Sequence, residues 1–448
     1  MATISEIITA MREVAPAGQQ DLSPDVLGDL RGLTQALAAA KPGAAEEHER
    51  FLALRQRTIP VPDADLAAWL GGATVLVTGG TGCIGSALMA EVARWAPRRL
   101  VSVSRGLTGG WPQVDSAEYA QADIRDTESL AAVFKSVRPD VVFHVAAQRD
   151  PGLAEAEVHR TVSTNVLGTS HVLAAAEDSG ASRVIVASTG KALRPYSREV
   201  YTATKRAVEW LTADAARNGQ ASYAAVRFTH AVDNSIIYNR LVSWCRDGII
   251  RLHDPDIMFY VQSALEAAQL MLVAGLSARR GELRAHAITD LGYPVSLLDL
   301  ALGVLVQTGS PTPVYFSGYD AGYESMPFPG LYDPRTAGDV SPLLNAFEAP
   351  SVARTVCPAT DEFSVLFSAC PRDHAPLREL REACGTGQAG RVREALDSLS
   401  WWLLDSMLNV VPRDAVDRMA RLTAQFEGRL SPEYQRILGA LREHAAAA

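Results

Sequence analysis

The spacing of apolar residues divides the chain into three zones. The first, residues 1–70, carries apolar side chains at helical intervals that are interrupted by glycine and proline, which predicts several short helices. Near residue 74 the pattern changes to short β-branched runs that alternate with longer amphipathic stretches. Helical spacing returns after about residue 350, at 377–384, 389–407 and 414–426. We expect a helical N-terminal extension over 1–70, a central domain over 71–345 and a helical C-terminal region over 346–448.

The central zone predicts an α/β fold. Its apolar runs are short enough to be buried strands, and they lie at 74–78, 100–104, 119–122, 141–145, 184–187 and 224–228. Amphipathic stretches such as 85–95 and 127–137 separate them, which is typical of βαβ units. We therefore expect a Rossmann-type doubly wound parallel sheet with its ligand crevice at the carboxyl ends of the strands. A smaller substrate-binding segment is expected at 229–345.

Composition and charge narrow the class of protein. The chain has 448 residues, of which 48% are hydrophobic, and a net charge of −9. This balance opposes a nucleic-acid partner, and no apolar run approaches the roughly 18 residues of a membrane span. The five cysteines are scattered without metal-ligand or disulfide spacing, so we expect no metal site. No secretory leader is evident. We expect a cytoplasmic protein that acts on a small molecule.

A glycine-rich turn follows the first predicted strand. Gly79, Gly82 and Gly85 are spaced three apart and lead directly into a helical stretch. Glycine is needed where the turn is tight, where a pyrophosphate approaches the backbone and where helix and strand pack closely, and the helix N-terminus attracts phosphate. This turn predicts a dinucleotide site whose contacts are Gly79, Thr81, Gly82, Cys83, Ile84 and Gly85.

The ends of the second and third predicted strands bear on the choice of dinucleotide. The second ends in Ser104 and Arg105, with no carboxylate to bind the ribose hydroxyls. An arginine suits a 2′-phosphate, so the sequence favours NADP, with NAD as the open alternative. Asp123 and Ile124 close the third strand, where a carboxylate could accept a hydrogen bond from the adenine amino group.

A tyrosine and a lysine at helical spacing predict a proton- and hydride-transfer site. Tyr201 and Lys205 lie four residues apart and so share one helix face. A nearby ammonium and an oxidised nicotinamide would lower the pKa of the phenol, which could then exchange a proton with a substrate hydroxyl. Ser188 and Thr189, at the end of a predicted strand, are expected to bind the same oxygen.

Taken in order, these motifs resemble the extended short-chain dehydrogenase/reductase family. The nearest resemblance is to the nucleotide-sugar 4,6-dehydratases and epimerases of polysaccharide biosynthesis. Beside the glycine turn and the Tyr201–Lys205 helix, the matching pieces are 122–126, 144–147, 164–169, 188–195, 226–228 and 252–255. Together they cover less than half of the chain.

The resemblance implies further roles. Ala146 and Ala147 would lie against the nicotinamide half of the cofactor, and Asn165 would support the active-site helix. A nucleotide-sugar substrate and a homodimer are also implied. The residues that we expect at the substrate are Gln148, Lys191, Glu199, Asn234, Arg240 and Arg251.

The chain departs from the dehydratases after the Ser188–Thr189 pair. Those enzymes carry aspartate and lysine next, whereas this chain reads Gly190 and Lys191. Dehydration needs an acid for the leaving hydroxyl, which glycine lacks, unless Glu199 or Asp150 replaces it. Epimerisation through a transient keto sugar is therefore preferred. A carbonyl reductase or alcohol dehydrogenase acting on a non-sugar metabolite is the alternative, and a catalytically silent binding protein is the third hypothesis.

Overall fold

The structure is a computed structural model that describes residues 2–106, 110–321, 323, 340–355, 357–367 and 375–446. Within those residues the strands are β1 Thr74–Thr78, β2 Arg99–Ser104, β3 Glu118–Gln121, β4 Val141–His144, β5 Arg183–Thr189, β6 Ser222–Phe228, β7 His230–Ala231, β8 Ile250–Leu252, β9 Met258–Phe259, β10 Val261–Gln262, β11 Arg284–Ile288, β12 Val295–Ser296, β13 Val314–Phe316, β14 Ala353–Arg354 and β15 Thr360–Ser364. The α-helices are α1 Ile4–Val14, α2 Pro24–Ala40, α3 Ala44–Ala53, α4 Asp63–Leu70, α5 Cys83–Ala93, α6 Thr127–Val137, α7 Pro151–Ala156, α8 Val158–Val162, α9 Gly168–Ser179, α10 Val200–Asn218, α11 Ile236–Asp247, α12 Ala264–Ser277, α13 Leu297–Thr308, α14 Ala375–Gly385, α15 Ala389–Leu408, α16 Arg413–Ala424 and α17 Pro432–Ala446.

The chain folds into two compact units, each built from several segments. The smaller unit comprises Met1–Arg57, His230–Ala264 and Leu291–Ser325, and the larger unit comprises the remainder. The functional domain boundaries expected at residues 70 and 345 stay predictions.

A parallel sheet forms the centre of the larger unit. Its order is β14-β15-β11-β6-β5-β4-β1-β2-β3. Every pair from β11 to β3 is parallel, whereas β15 runs antiparallel to β11, and β14 runs antiparallel to β15. The apolar runs of β1, β4 and β5 are almost wholly buried, as expected of parallel strands covered on both faces. The predicted Rossmann-type fold is confirmed.

The helix α10 is buried along most of its length. It packs against β5 and β6 and also against α15, so that it lies in the interior of the larger unit. Trp210 of α10 meets Trp402 of α15 edge to face, with ring centroids 5.4 Å apart. Leu403 and Leu404 of α15 are buried in the same region. The C-terminal helices thus complete the interior around α10.

The smaller unit has an apolar core of its own. Helices α1–α3 pack with α13 and β13 around buried side chains that include Leu37, Phe51, Leu302 and Tyr315. Its strands form the short pairs β7–β10, β9–β12 and β8–β13. The N-terminal helices therefore share a core with segments from the predicted substrate-binding region.

Three further observations concern the described part of the chain. None of its helices is both long enough and apolar enough to cross a membrane. No group of three or more potential metal ligands occurs among the described residues. Among those residues Cys83, Cys245, Cys357 and Cys384 form no disulfide, and Cys370 lies outside them.

Candidate active site

The glycine turn between β1 and α5 is shaped by contacts that leave no room for side chains. Gly79 has φ of +76°, and a Cβ there would lie 2.8 Å from the backbone nitrogen of Ala146. A Cβ on Gly85 would lie 2.0 Å from the carbonyl oxygen of Gly79. Gly82 is the N-cap of α5, so the positive end of the helix dipole lies at this turn. A turn of this geometry could hold an anion such as a phosphate.

A small cavity lies beside this turn at the end of β2. It measures about 110 Å³ and is lined by Gly80, Thr81, Trp111, Gln113 and Tyr119, among others. No spacing in the sequence indicated Trp111, Gln113 or Tyr119 as lining residues, because they lie in and beyond an irregular loop.

The predicted Ser104 and Arg105 stand at the end of the same strand. The Ser104 hydroxyl donates to the Gly106 carbonyl at 3.0 Å, and the Arg105 carbonyl accepts from the side chain of Gln121. Residues 107–109 lie outside the described residues. Both side chains stay predicted ligands.

Asp123 and Ile124 lie at the end of β3, beside a second cavity. The Asp123 carboxylate accepts from the Arg125 guanidinium at 3.0 Å and 2.6 Å, and these hydrogen bonds hold its pKa below the usual value. The cavity measures about 400 Å³, and His159, Ser163 and His171 also line it. Asp123 therefore stays ionised and able to accept a hydrogen bond, as an adenine contact requires.

The loop after β4 is fixed by Asn165. This side chain, 1% exposed, accepts from the backbone N–H of Gln148 at 2.8 Å and donates to the Gln148 carbonyl at 3.0 Å. It also donates to Thr204 of α10 at 3.2 Å. Asn165 thus ties the loop that carries Ala146 and Ala147 to the helix that carries Tyr201, in keeping with its predicted supporting role.

Gln148, predicted as a substrate contact, bonds within its own loop. Its amide donates to the Asp150 carbonyl and accepts from the Asp150 N–H, at 3.0 Å and 2.6 Å. Asp150, named as a replacement acid, caps α7 by accepting from the Leu153 N–H. Both side chains therefore serve local backbone structure.

Tyr201 and Lys205 occupy successive turns of α10, beside the end of β5. The Lys205 ammonium, 5% exposed, donates to the Ala187 carbonyl at 2.6 Å, and burial lowers its pKa to about 8. Burial raises the pKa of Tyr201 to about 12, which outweighs the opposite effects of its hydrogen bond to Thr189 and of the charge on Arg149. In the chain without ligands, Lys205 therefore does not produce the expected lowering of the Tyr201 pKa.

The two predicted hydroxyls have different surroundings. Thr189 lies beside Tyr201, where hydrogen bonding lowers the pKa of the phenol, whereas Ser188 is buried and donates to the carboxylate of Glu209 at 2.7 Å. Successive side chains of a strand point to opposite faces, which accounts for the difference. Binding of a substrate oxygen by either hydroxyl stays a prediction.

The turn after β5 brings Lys191 and Glu199 together. The Glu199 carboxylate, in a residue 8% exposed, forms an ion pair with Lys191 and accepts from Arg194 at 2.9 Å and from Thr202 at 2.8 Å. Its negative charge is among the influences that raise the pKa of Tyr201. The structure thus places a lysine and a carboxylate near the reactive phenol, as the sequence suggested.

The space beside Gly190 is occupied by the side chain of Leu343, a residue far away along the sequence. A Cβ on Gly190 would lie 2.6 Å from Cδ2 of Leu343, which is itself buried. The space that an aspartate would need is therefore filled by leucine. Nothing in local spacing could have indicated this contact, because the two residues are far apart in the chain.

The three remaining predicted substrate residues lie in the smaller unit. Asn234 precedes α11, and Arg240 of α11 donates to the Tyr323 hydroxyl at 3.2 Å. Arg251 of β8 donates to the backbone carbonyls of Gln19 and Gln20, at 3.4 Å and 2.9 Å. Arg251 thus fastens the N-terminal segment inside this unit, and substrate binding by all three stays a prediction.

The sequence matches a known protein family. Residues 75–318 match the family described as polysaccharide biosynthesis protein. Probable polysaccharide biosynthesis protein EpsC of Bacillus subtilis is 27% identical over 293 residues, which are 61% of this chain and 48% of that protein. UDP-N-acetylglucosamine 4,6-dehydratase (inverting) of Campylobacter jejuni is 29% identical over 167 residues, 35% of this chain and 49% of that enzyme. The chain spans about half the length of the curated relatives it matches.

Solved structures share the fold. Pen from Bacillus thuringiensis superposes with a TM-score of 0.55 at 22% identity, covering 66% of this chain and 88% of that one. The epimerase Mth375 from Methanothermobacter thermautotrophicus gives a TM-score of 0.51 at 21% identity, covering 58% and 83%. At these identities the likeness concerns architecture alone.

Proposed function

The chain belongs to the polysaccharide biosynthesis protein family of extended short-chain dehydrogenases/reductases, and on that premise we propose that it epimerises a nucleotide-activated sugar through a transient keto sugar. The observation that carries the proposal is the placement of Tyr201 and Lys205 on successive turns of α10 beside the end of β5, on a Rossmann-type unit in which position 190 has no acid. Relatives named for UDP-sugar 4,6-dehydration and 4-epimerisation support a nucleotide-sugar substrate.

The glycine turn fits a dinucleotide. The close approaches at Gly79 and Gly85 leave room only for glycine at these positions, and the positive end of the α5 dipole lies at the same turn, where it would attract a pyrophosphate. Cys83, Ile84, Gly82 and Thr81 would hold the phosphates, and Asp123 would accept from the adenine amino group. When bound, the nicotinamide ring supplies the acceptor and donor of hydride.

The side chains of α10 and β5 would handle the proton. Tyr201 would take the proton from a sugar hydroxyl as the carbon is oxidised and return it when the carbon is reduced, while Thr189 orients the same oxygen. Lys205 lies one turn along α10, and with a pKa of about 8 it is mostly an ammonium at pH 7. Its charge would favour the phenolate once substrate excludes water.

Epimerisation is preferred because the structure offers no uncommitted acid at the dehydratase position. Gly190 has no side chain and Leu343 fills the adjoining space. Glu199 is held by Lys191, Arg194 and Thr202. All three contacts engage the Glu199 carboxylate within its own turn, so this carboxylate is not available as a replacement acid without breaking them.

Product mass tests this function. The purified chain should convert a UDP-sugar into a product of unchanged mass whose proton NMR couplings show inversion at one carbon. A product lighter by one water would instead establish dehydration, with Glu199 and Lys191 as the acid–base pair. Net consumption of added NADPH would favour the reductase, and no change with any nucleotide sugar would overturn the proposal.

We further propose NADP as the dinucleotide, held through Arg105. Arg105→Asp should raise the Kd for NADP by about 10- to 100-fold, since a charge-assisted hydrogen bond contributes about 1.5–3 kcal/mol. The Kd for NAD should change little. Titration calorimetry with both dinucleotides measures this difference.

The matched control is Arg98→Asp, which makes the same charge change just before the opposite end of β2. It should leave both dissociation constants within about threefold, because exposed charges more than a Debye length away are largely screened. Equal NADP affinity in wild type and Arg105→Asp would rule out Arg105 as the phosphate ligand.

A homodimer and a cytoplasmic location are also part of the proposal. Light scattering of the purified chain tests the first, and cell fractionation tests the second.

A further inference from the structure

Four charged side chains meet in the interior of the larger unit, next to the candidate active site. They are Arg206 and Glu209 of α10, Arg227 of β6, and Glu348, and each side chain is at most 2% exposed. Arg227 lies between the two carboxylates: it donates to both oxygens of Glu209 at 2.8 Å, and to those of Glu348 at 2.7 Å and 2.6 Å. The cluster contains two positive and two negative charges.

The charges of this cluster depend on one another. Burial by itself would lower the pKa of Arg227, but Glu209 and Glu348 outweigh it and raise that pKa. Burial likewise opposes ionisation of Glu209, yet Arg227 holds its pKa below the usual value. Removing one member of such a group leaves an uncompensated buried charge. Glu348 is therefore needed to keep Arg227 and Glu209 in place.

One hydrogen bond connects the cluster to the catalytic strand. Ser188 of β5 donates to Glu209 at 2.7 Å, and Ser188 directly precedes Thr189, the partner of Tyr201. The position of the Glu209 carboxylate thus constrains the backbone that carries the Thr189 hydroxyl.

Residues 341–348, which we call the 341–348 segment, also hold the turn that follows β5. Asn345 donates to the Leu193 carbonyl at 2.6 Å, and the side chain of Leu343 lies against Gly190. The backbone carbonyl of Leu343 accepts from Arg227 at 3.0 Å. Two residues of one short segment therefore make three contacts with the end of β6 and with the turn after β5.

The 341–348 segment lies beyond residues 75–318, the part of the chain that matches the family. Its contacts with the turn after β5 are therefore made from outside the family-matched residues.

We propose that Glu348 is a positioning residue that keeps the Thr189 hydroxyl beside Tyr201. It acts through the cluster residues Arg227 and Glu209 and through Ser188. The proposal rests on the proposed function in that Thr189 and Tyr201 are taken as the reacting pair. Its consequence is that the C-terminal region takes part in setting the catalytic geometry.

Glu348→Gln tests this role, because it keeps the shape of the side chain and removes its charge. The expected result is a fall in kcat of about 10- to 100-fold per folded molecule, the size of effect that a small misplacement of reacting groups produces. KM and the dinucleotide Kd should stay within about threefold, since the binding groups are elsewhere. The folded fraction is measured by circular dichroism in the same samples.

Glu177→Gln is the matched control. Glu177 is a carboxylate that anchors the opposite end of β6, where it accepts from the N–H groups of Gln220 and Ala221 and from the Tyr223 hydroxyl. This variant should lower the melting temperature but leave kcat per folded molecule unchanged. A Glu348→Gln enzyme that loses stability yet keeps kcat within about twofold would overturn the positioning role.

A measurement made without substrate tests this proposal independently of the proposed function. With tyrosine labelled by ¹³C at Cζ, the Tyr201 resonance is identified by its absence in Tyr201→Phe. This resonance should shift in Glu348→Gln, because the Thr189 hydroxyl moves relative to the phenol. It should keep its wild-type position in Glu177→Gln. An unmoved resonance overturns the proposal even where no turnover is found.

Should Glu348→Gln fail to fold, Asn345→Ala provides the second variant. It removes the hydrogen bond to the Leu193 carbonyl and those that the Asn345 side chain accepts from the N–H groups of Phe347 and Glu348, while all four charges of the cluster stay present. The same fall in kcat and the same shift of the Tyr201 resonance are expected. Normal values of both would contradict the role of the 341–348 segment.

Discussion

Replacing Tyr201 with phenylalanine should lower kcat by about 10²- to 10⁴-fold, the usual contribution of a positioned acid–base group. The substitution removes the hydroxyl beside Thr189 and leaves the aromatic ring in its partly buried site. Dinucleotide affinity should stay within about threefold, because the glycine turn is unaltered. The measurement is kcat from product NMR, together with the Kd from calorimetry.

Tyr223→Phe is the control for loss of a buried tyrosine hydroxyl. Tyr223 lies in β6 and donates to Glu177 at 2.6 Å, away from the reactive pair. This variant should lose about 1–3 kcal/mol of folding free energy and keep its turnover. Unchanged turnover in Tyr201→Phe would remove the phenol from the mechanism.

The pKa of Tyr201 indicates when the phenol can act as a base. With a pKa of about 12, roughly one phenol in 10⁵ is ionised at pH 7. The resting chain therefore holds a proton donor. Acceptance of a proton requires positive charge close to the phenol during the reaction, and Lys205, ionised below its pKa of about 8, is one source.

The features that sequence alone predicted are local. The turn at 79–85 is recognised because glycine spacing, a preceding apolar strand and a following helix all lie within about one supersecondary unit. The Tyr201–Lys205 pair is recognised for the same reason, since four residues make one helical turn. The fold and the family resemblance, which rest on such motifs taken in order, are confirmed.

The features that sequence missed depend on long-range contacts. Leu343 fills the space beside Gly190, and Glu348 completes the charge balance of Arg227, but each pair is separated by more than a hundred residues. Strand β15 was missed because it reads Thr-Asp-Glu-Phe-Ser, which lacks an apolar run. Its buried Glu362 is accommodated by Arg284 of the neighbouring strand at 3.0 Å. The ion pair with Arg284, which forms only in the folded chain, explains why a buried acid is tolerated at position 362.

Ser188 and Thr189 show how strand alternation bears on the predicted site. Adjacent residues of a strand face opposite sides, so two neighbouring hydroxyls are expected to have different surroundings. Ser188 donates to the buried Glu209 carboxylate, whereas Thr189 lies beside Tyr201. Substrate binding by either hydroxyl stays a prediction.

Gly79→Ala should weaken dinucleotide binding by about 100-fold, the equivalent of two lost hydrogen bonds to charged phosphate. The added Cβ would lie 2.8 Å and 2.9 Å from the backbone nitrogen and Cα of Ala146. Backbone atoms at such distances must move apart, which would displace both the glycine turn and the loop after β4. The N–H groups at the start of α5 would then no longer converge on one pyrophosphate. Calorimetry with NADP and NAD measures the loss.

Gly180→Ala separates this clash from backbone strain. Gly180 has φ of +77°, almost the same as the +76° of Gly79, but a Cβ there would meet no atom within 4 Å. Both variants should therefore lose about 1–2 kcal/mol of folding free energy from the left-handed conformation. Only Gly79→Ala should lose dinucleotide affinity, because only there does the side chain collide with the loop that carries Ala146. Equal affinity in the two variants would show that the turn at 79–85 does not hold the pyrophosphate.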